Sequence, residues 1–113
     1  MILYGIPNCD TVSKARRWLN EAGCDYQFHD FRKDGIGSEQ INHWCDQLGW
    51  EKVLNKRSTS WRKLSSDQTE NIDQPQAVAL MTEMPTLIKR PVLVAENWIE
   101  LGFKAETYQN RLS

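Results

Sequence analysis

The first thirty residues change from the hydrophobic spacing of a strand to that of a helix and back. Residues 2–5 form a short apolar run before Pro7, which predicts a buried strand followed by a turn. From residue 10 to 22, apolar or small side chains recur every three or four positions, which predicts a helix that Gly23 ends. Residues 26–30 alternate as a second strand. This opening predicts two parallel neighbouring strands joined by a right-handed helical crossover.

The middle of the chain follows a helical pattern. Apolar positions between residues 38 and 48 have helical spacing and end at Gly49, and residues 53–64 suggest further short helical turns. A later helix is predicted over residues 75–83, with a proline in its first turn. We therefore predict an all-helical insertion over about residues 36–84.

Strand patterns return after this insertion. Residues 86–88 form a short apolar run, and residues 92–94 form a compact β-branched run. Residues 96–97 are typical of a hairpin turn leading into a strand at residues 98–99, and a short helix is predicted after Lys104. The order β-α-β, helices, β-β-α predicts an α/β fold with a mixed four-stranded sheet and helices packed on it.

Length and charge limit what the chain can be. Its 113 residues predict a single domain over residues 1–113. The net charge of −1 favours neither a nucleic acid nor an anionic membrane as a partner. No apolar run approaches the roughly 20 residues that span a bilayer, and the N-terminal residues lack the pattern of a signal peptide. A cytoplasmic location is therefore expected.

The three cysteines predict neither a disulfide framework nor a metal site. Cys9, Cys24 and Cys45 are an odd number without paired spacing, which suits a reducing compartment. The chain has no Cys-x-x-Cys motif, and His29 and His43 do not stand at ligand-like distances from the cysteines. We expect no metal.

Cys9 lies where the first strand turns into the first helix. Backbone N–H groups without helical partners and the helix dipole both favour a thiolate there, and the thiolate is the nucleophile. The neighbouring carboxylate of Asp10 opposes a second negative charge. From its position alone, Cys9 is as compatible with an inert helix cap as with a reactive group. Thr11 could contact the thiolate but is better suited to capping the helix, and Asn8 could orient Cys9 but is better suited to the turn.

The Arg90–Pro91 pair precedes the third predicted strand. An X-Pro bond can be cis, although most are trans. If this strand lies beside the first, the peptide would face Cys9 and could bind an extended substrate through its backbone. Taken without a fold, the two residues suggest a strand that opens with Pro91 and a surface charge at Arg90.

Four blocks of sequence, in order along nearly the whole chain, carry a family resemblance. They resemble the arsenate reductase (ArsC)/Spx family, and within it the YffB-like branch of small proteins. The blocks are Tyr-Gly-Ile-Pro-Asn-Cys-Asp-Thr at residues 4–11, Asn-Lys-Arg-Ser-Thr-Ser-Trp-Arg-Lys-Leu at 55–64, Leu-Ile-Lys-Arg-Pro-Val-Leu-Val at 87–94 and Gly-Phe-Lys-Ala-Glu at 102–106.

The resemblance implies a thioredoxin-like fold with a helical insertion. It implies that Cys9 matches the cysteine that attacks arsenate in arsenate reductases. In those enzymes, glutathione and glutaredoxin complete the reduction. Arg90 matches the arginine of an Arg-Pro turn, with Pro91 as a cis proline. Arg57 fits the pattern of the Spx and YffB-like members, and Lys104 stands where arsenate reductases have an arginine.

The chain also departs from both named activities of the family. Asp10 follows the cysteine, and its charge should repel arsenate. Spx members often carry Cys-x-x-Cys as a redox switch and bind RNA polymerase, whereas Val12 stands at the second cysteine position here. Cys9 must therefore be regenerated by a thiol from another molecule.

The leading hypothesis is a glutathione-dependent thiol/disulfide oxidoreductase. Cys9 would be the nucleophile, and Arg57, Arg90 and Lys104 would bind carboxylates of glutathione or the substrate. We expect no tightly bound cofactor, glutathione or a small thiol or disulfide as the partner, glutaredoxin as a further one, and a monomer. The alternative is a non-enzymatic Spx-like module that binds a transcription protein, and an arsenate reductase is the third hypothesis.

Overall fold

A mixed four-stranded sheet organises the two ends of the chain. Strand β1 is central and pairs with β2 in parallel and with β3 antiparallel, while β3 pairs antiparallel with β4, so that the order is β2-β1-β3-β4. This confirms the predicted α/β fold with the thioredoxin-like order β-α-β and β-β-α. The strands are β1 (Ile2–Gly5), β2 (Gln27–Asp30), β3 (Val92–Val94) and β4 (Ile99–Leu101).

Seven helices complete the chain in the computed structural model, which describes residues 1–113. They are α1 (Asp10–Glu21), α2 (Ser38–Leu48), α3 (Trp50–Val53), α4 (Thr59–Arg62), α5 (Ser66–Thr69), α6 (Gln74–Glu83) and α7 (Ala105–Leu112). No helix combines the length and the apolar composition needed to cross a membrane.

Backbone contacts divide the chain into two compact units. The first unit consists of residues 1–34 and 90–113 and contains the sheet, α1 and α7. The second consists of residues 35–89 and contains only helices and turns, as the pattern of the insertion predicted. That the whole chain is one domain stays a prediction.

The core of the first unit lies where α1 and α7 pack on one face of the sheet. Leu3, Leu19, Leu93 and Tyr108 are fully buried there. The rings of Trp18 and Phe103 lie perpendicular to that of Tyr108, at centroid distances of 5.7 and 4.8 Å. Burial together with the charge of Glu100 raises the pKa of the Tyr108 hydroxyl.

The second unit is built on the packing of α2 against α3 and α6. The starts of α5 and α6 are well specified, because Ser65 and Asp73 each form a capping box with the glutamine three residues later. Its buried apolar side chains are Ile41, Trp44, Cys45, Val53, Leu54, Ala77, Val78, Met81, Leu87 and Ile88.

One predicted strand pattern is wrong. Residues 86–88 do not form a strand, because Pro85–Leu87 is a short 3₁₀ turn and Ile88 makes only a single antiparallel bridge with Leu54. Proline has no backbone N–H and its fixed φ suits the first position of a helical turn, so Pro85 overrides the β-branched pattern that follows it. The segment is nevertheless fixed, since the Lys89 N–H donates to the Val53 carbonyl at 2.8 Å.

The close approach of α1 to β1 requires a glycine. A Cβ on the buried Gly5 would lie 2.7 Å from Cγ2 of Val12, which is itself fully buried on α1. Gly5→Ala should therefore lower the free energy of unfolding by about 1–3 kcal/mol, the usual cost of overpacking a core. Chemical denaturation measures this.

Val12→Ala provides the matched background for that measurement. In the Val12→Ala protein the added methyl group has room, so the further cost of Gly5→Ala should fall below about 0.5 kcal/mol. Equal costs in the two backgrounds would show that this contact does not limit the approach of the helix.

Candidate functional site

The sheet brings distant parts of the chain to one edge. Gly5, the last residue of β1, pairs with Asp30, the last residue of β2. The β1–β3 register runs from Ile2↔Val94 to Tyr4↔Val92, so the next position along it sets Gly5 opposite Pro91. The Gly102 N–H, just after β4, donates to the Pro91 carbonyl at 2.8 Å. One row of residues thus crosses the sheet where β1 and β4 end.

Three predicted site residues lie at this edge. Cys9 follows β1, Arg90 precedes β3 and Lys104 follows β4. Because β1 and β4 are separated by β3, their ends are about 10 Å apart, or two inter-strand spacings. We call the group Cys9, Arg90, Pro91 and Lys104 the Cys9 edge.

Cys9 is the N-cap residue of α1, directly before the first residue of the helix. It is half-buried with extended backbone, and its carbonyl accepts the first hydrogen bond of the helix, from the Ser13 N–H at 2.9 Å. Its thiol makes no capping hydrogen bond. The N–H groups of residues 10–12 precede that first bond and are directed towards the start of the helix, where the helix dipole is positive. The sulfur therefore does not serve as a conventional cap.

The polar neighbours of Cys9 are exposed. Asn8 lies in the turn between β1 and α1, and Asp10 is the first residue of α1. Thr11 is the second residue of the helix, so its predicted role as the cap is wrong, because Cys9 occupies the capping position.

The Arg90–Pro91 peptide bond is cis, as the resemblance implies. Pro91 and Val92 are buried, and Arg90 is half-buried with its Nε atom buried. The suggestion of a plain surface charge at Arg90 therefore underestimates its burial. The register places this peptide beside the segment that joins β1 to α1.

Lys104 is the N-cap residue of α7, directly before the first residue of the helix. It is exposed, its backbone is extended and its side chain makes no capping hydrogen bond. Lysine has no acceptor and cannot cap a helix start, so neither helix that begins at the Cys9 edge is capped by its own side chain. By contrast, Ser58, Ser65 and Asp73 cap α4, α5 and α6. The positive ends of α1 and α7 are therefore left open to an external anion.

The other two cysteines lie in different surroundings. Cys24 follows the end of α1, about 18 Å from Cys9 along a twelve-residue helix, which is beyond disulfide reach. Cys45 is only 2% exposed, and burial together with the charge of Asp46 raises the pKa of its thiol to about 11. A raised pKa leaves very little thiolate near neutral pH, so Cys45 is chemically quiet.

Arg57 belongs to the second unit and is exposed there. Its N–H donates to Oδ1 of Asn55 at 3.1 Å, in the turn that precedes α4. Its predicted part in binding a substrate with Cys9 stays a prediction. Across the chain, no group of three or more histidine, cysteine or acidic side chains is arranged to hold a metal ion.

Gly102 and Asp30 contribute to this edge although the sequence did not single them out. Gly102 donates its N–H to the carbonyl of Pro91, the residue that follows the cis bond, and Asp30 orders the turn after β2 by accepting from the Arg32 N–H at 2.8 Å. An aspartate three residues before Lys33 suggests a turn, which could have identified Asp30. The role of Gly102 depends on strand pairing and has no local sequence pattern.

Comparison with known proteins gives consistent results. A family model described as the ArsC family matches residues 4–111. A solved structure named YFFB protein is 43% identical and covers 99% of this chain and 98% of its own, with a TM-score of 0.96. The solution structure of an arsenate reductase (ArsC) related protein from Brucella melitensis is 41% identical, covers 96% of this chain and 91% of its own, and has a TM-score of 0.78.

A relative named as a transcriptional regulator has a lower sequence identity. The global transcriptional regulator Spx of Lactiplantibacillus plantarum is 25% identical over 108 residues, which are 94% of this chain and 81% of that protein. These matches extend over both compact units.

Proposed function

Because this chain belongs to the ArsC family, we propose that it is a thiol oxidoreductase that uses Cys9 as its nucleophile and glutathione as its co-substrate. The observation that carries the proposal is the pair of open helix starts at the Cys9 edge, one of which holds the thiol of Cys9. Such a site suits a thiolate and a carboxylate-bearing substrate together.

The reaction consists of two thiol–disulfide exchanges. The Cys9 thiolate attacks one sulfur of a disulfide, a Cys9–sulfur bond forms, and the other half leaves as a thiolate that takes up a proton. A glutathione thiolate then attacks the mixed disulfide and releases Cys9. If the bound half is glutathione, the second product is glutathione disulfide. No second cysteine of this chain is needed, which fits the distance of Cys24 and the burial of Cys45.

We propose that two cations at the Cys9 edge hold the glutathione carboxylates. Arg90 lies beside the β1–α1 segment, and its planar guanidinium can bind a carboxylate through two N–H groups. Lys104 is exposed at the start of α7 and offers a more mobile charge. We propose that Arg90 orients the substrate and that Lys104 contributes attraction at longer range.

Arsenate reduction is the less favoured alternative. Asp10 sits in the first turn of α1 directly beside the cysteine, where it competes with an oxyanion for the same N–H groups. Lys104 also lacks the two-pronged grip of an arginine. We therefore expect no turnover of arsenate by the protein with glutathione and glutaredoxin.

A non-enzymatic binding role is the second candidate, and the 25% identity with the regulator Spx over 94% of the chain favours it. In that case Cys9 would be a surface thiol without special reactivity. The following experiment separates the two roles.

Glutathione disulfide at pH 7.5 should modify Cys9 selectively. We expect one glutathione adduct per chain by intact-mass spectrometry, and peptide mapping should place it on Cys9. Cys45 should stay unmodified, because its pKa of about 11 and its burial suppress the thiolate, and its labelling should rise only as the pH approaches that value.

Cys9→Ser and Cys24→Ser are the matched pair for this test. Both residues are half-buried and neither forms a disulfide, so accessibility alone does not distinguish them. The adduct and its removal by reduced glutathione should disappear in Cys9→Ser and persist in Cys24→Ser. Adduct formation at similar rates on Cys9 and Cys24 would contradict the proposal and leave the binding role.

The charge of Asp10 should slow the first exchange. Asp10→Asn removes a carboxylate from the start of α1, so glutathione disulfide, which is an anion, should react with Cys9 about two- to fivefold faster at low salt. Stopped-flow or quenched-flow mass spectrometry measures the rate. Glu21→Gln makes the same change of charge at the exposed far end of the same helix and should leave the rate unchanged. Equal effects of the two substitutions would assign the effect to net charge and not to the site.

A further inference from the structure

The second unit carries a strongly basic loop, of which only Arg57 is predicted to take part in the chemistry at Cys9. Residues 50–63, here named the basic loop, hold five exposed cations and one carboxylate, that of Glu51. The rest of this unit has the opposite balance, with Lys89 as its one other cation and six carboxylates. Charge is thus segregated within the unit. The five cations are Lys52, Lys56, Arg57, Arg62 and Lys63.

Backbone bonds hold the basic loop in place. The Asn55 N–H donates to the Leu87 carbonyl at 2.7 Å, and Ser58 caps α4 by accepting from the Trp61 N–H at 3.1 Å. Val53 and Leu54, which are part of the loop, are buried. The cations are therefore displayed on ordered backbone.

Lys56 ties the two ends of the basic loop together. Its ammonium lies 5.7 Å from the ring centroid of Trp50, at the start of the loop, and 5.7 Å from that of Trp61, near its end. The rings of Trp50 and Trp61, which are close in the chain to Lys52 and Arg62, therefore lie near the same ammonium.

None of the five cations has an acidic partner. The salt bridge between Arg111 and Glu100 lies in the first unit and involves none of them. Cations held together without counter-charges repel one another, and an acidic surface that covers them relieves the repulsion and is steered towards them. The missing element is a set of carboxylates from another molecule.

We infer that the basic loop is a docking surface for a protein partner that presents a flexible segment rich in Asp and Glu. Nucleic acid fits the loop less well. The Lys56 ammonium already lies against the two indole rings on which bases would stack. This surface does not depend on the chemistry of Cys9.

A fluorescein-labelled octaglutamate peptide is the probe for this surface. Fluorescence anisotropy at low salt should show saturable binding to the full chain, and the affinity should fall steeply as salt is added. Octauridylate RNA of similar charge should bind about tenfold more weakly or not at all.

A matched pair of double variants locates the binding. Arg62→Glu/Lys63→Glu reverses two cations of the basic loop, and Arg32→Glu/Lys33→Glu reverses an adjacent exposed Arg-Lys pair in the first unit. The first should weaken peptide binding about tenfold or more, and the second should leave it within about twofold, although both change the net charge equally. Circular dichroism confirms that each variant is folded.

The outcomes are distinct. No peptide binding at low salt, equal losses in the two variants, or tighter binding of the RNA would each overturn the proposal. The formation of the glutathione adduct on Cys9 should be unaffected by Arg62→Glu/Lys63→Glu. A protein that fails to form the adduct but binds the peptide would refute the proposed function and leave this inference standing.

Discussion

The position of β1 in the middle of the sheet is the constraint on which the Cys9 edge depends. This strand pairs on both sides, and its register fixes which residues of β2 and β3 stand beside it. Because Gly5 has no side chain, α1 can approach the end of β1 closely enough for Val12 to fill the space. The start of α1, and with it Cys9, is thereby held over the end of the strand.

The chemistry follows from that placement. A helix with a cysteine directly before its first residue presents N–H groups and a positive dipole end to a sulfur atom. The paired strands then set the cis Arg90–Pro91 peptide beside the same segment, and the Gly102 N–H holds the Pro91 carbonyl that follows it. A reactive group on ordered elements needs little reorganisation when a substrate arrives. The site is thus a product of strand pairing more than of any one motif.

In the second unit, different segments supply the buried apolar core and the exposed positive charge. Its buried residues come from α2, α3 and α6, from the turn at Pro85–Leu87 and from Leu54 and Ile88, whereas its exposed positive charge is concentrated in the basic loop. Lys56 is held by two indole rings instead of a carboxylate. Such a contact keeps the positive charge available at the surface, since the rings do not neutralise it.

Local patterns predicted most of the fold, and the exceptions have identifiable physical causes. The spacing of Val12, Ala15 and Leu19 was sufficient for α1, because an amphipathic helix needs only its own sequence to define its buried face. The pattern at residues 86–88 failed because a proline at the start of a turn outweighs β propensity.

The candidate site was likewise predictable only in part from the sequence. Cys9 and the cis Arg90–Pro91 peptide could be found from short motifs and a family resemblance. By contrast, the bond from the Gly102 N–H to the Pro91 carbonyl depends on how separated strands pair, which no local pattern records. Thr11 was misassigned although the predicted start at residue 10 is correct, since the capping position is the residue directly before that start, which is Cys9.

The central claim is that the folded edge of the sheet makes the sulfur of Cys9 reactive, and the rate of its alkylation tests this most directly. Site-resolved mass spectrometry at pH 7 would compare the iodoacetamide rate constant of Cys9 in the folded protein with that in a synthetic peptide of residues 4–13. Half-burial alone slows the reaction, so any acceleration must come from the surrounding charges and N–H groups. The account predicts a rate at least about tenfold higher in the folded protein. A rate equal to or below that of the peptide would contradict it.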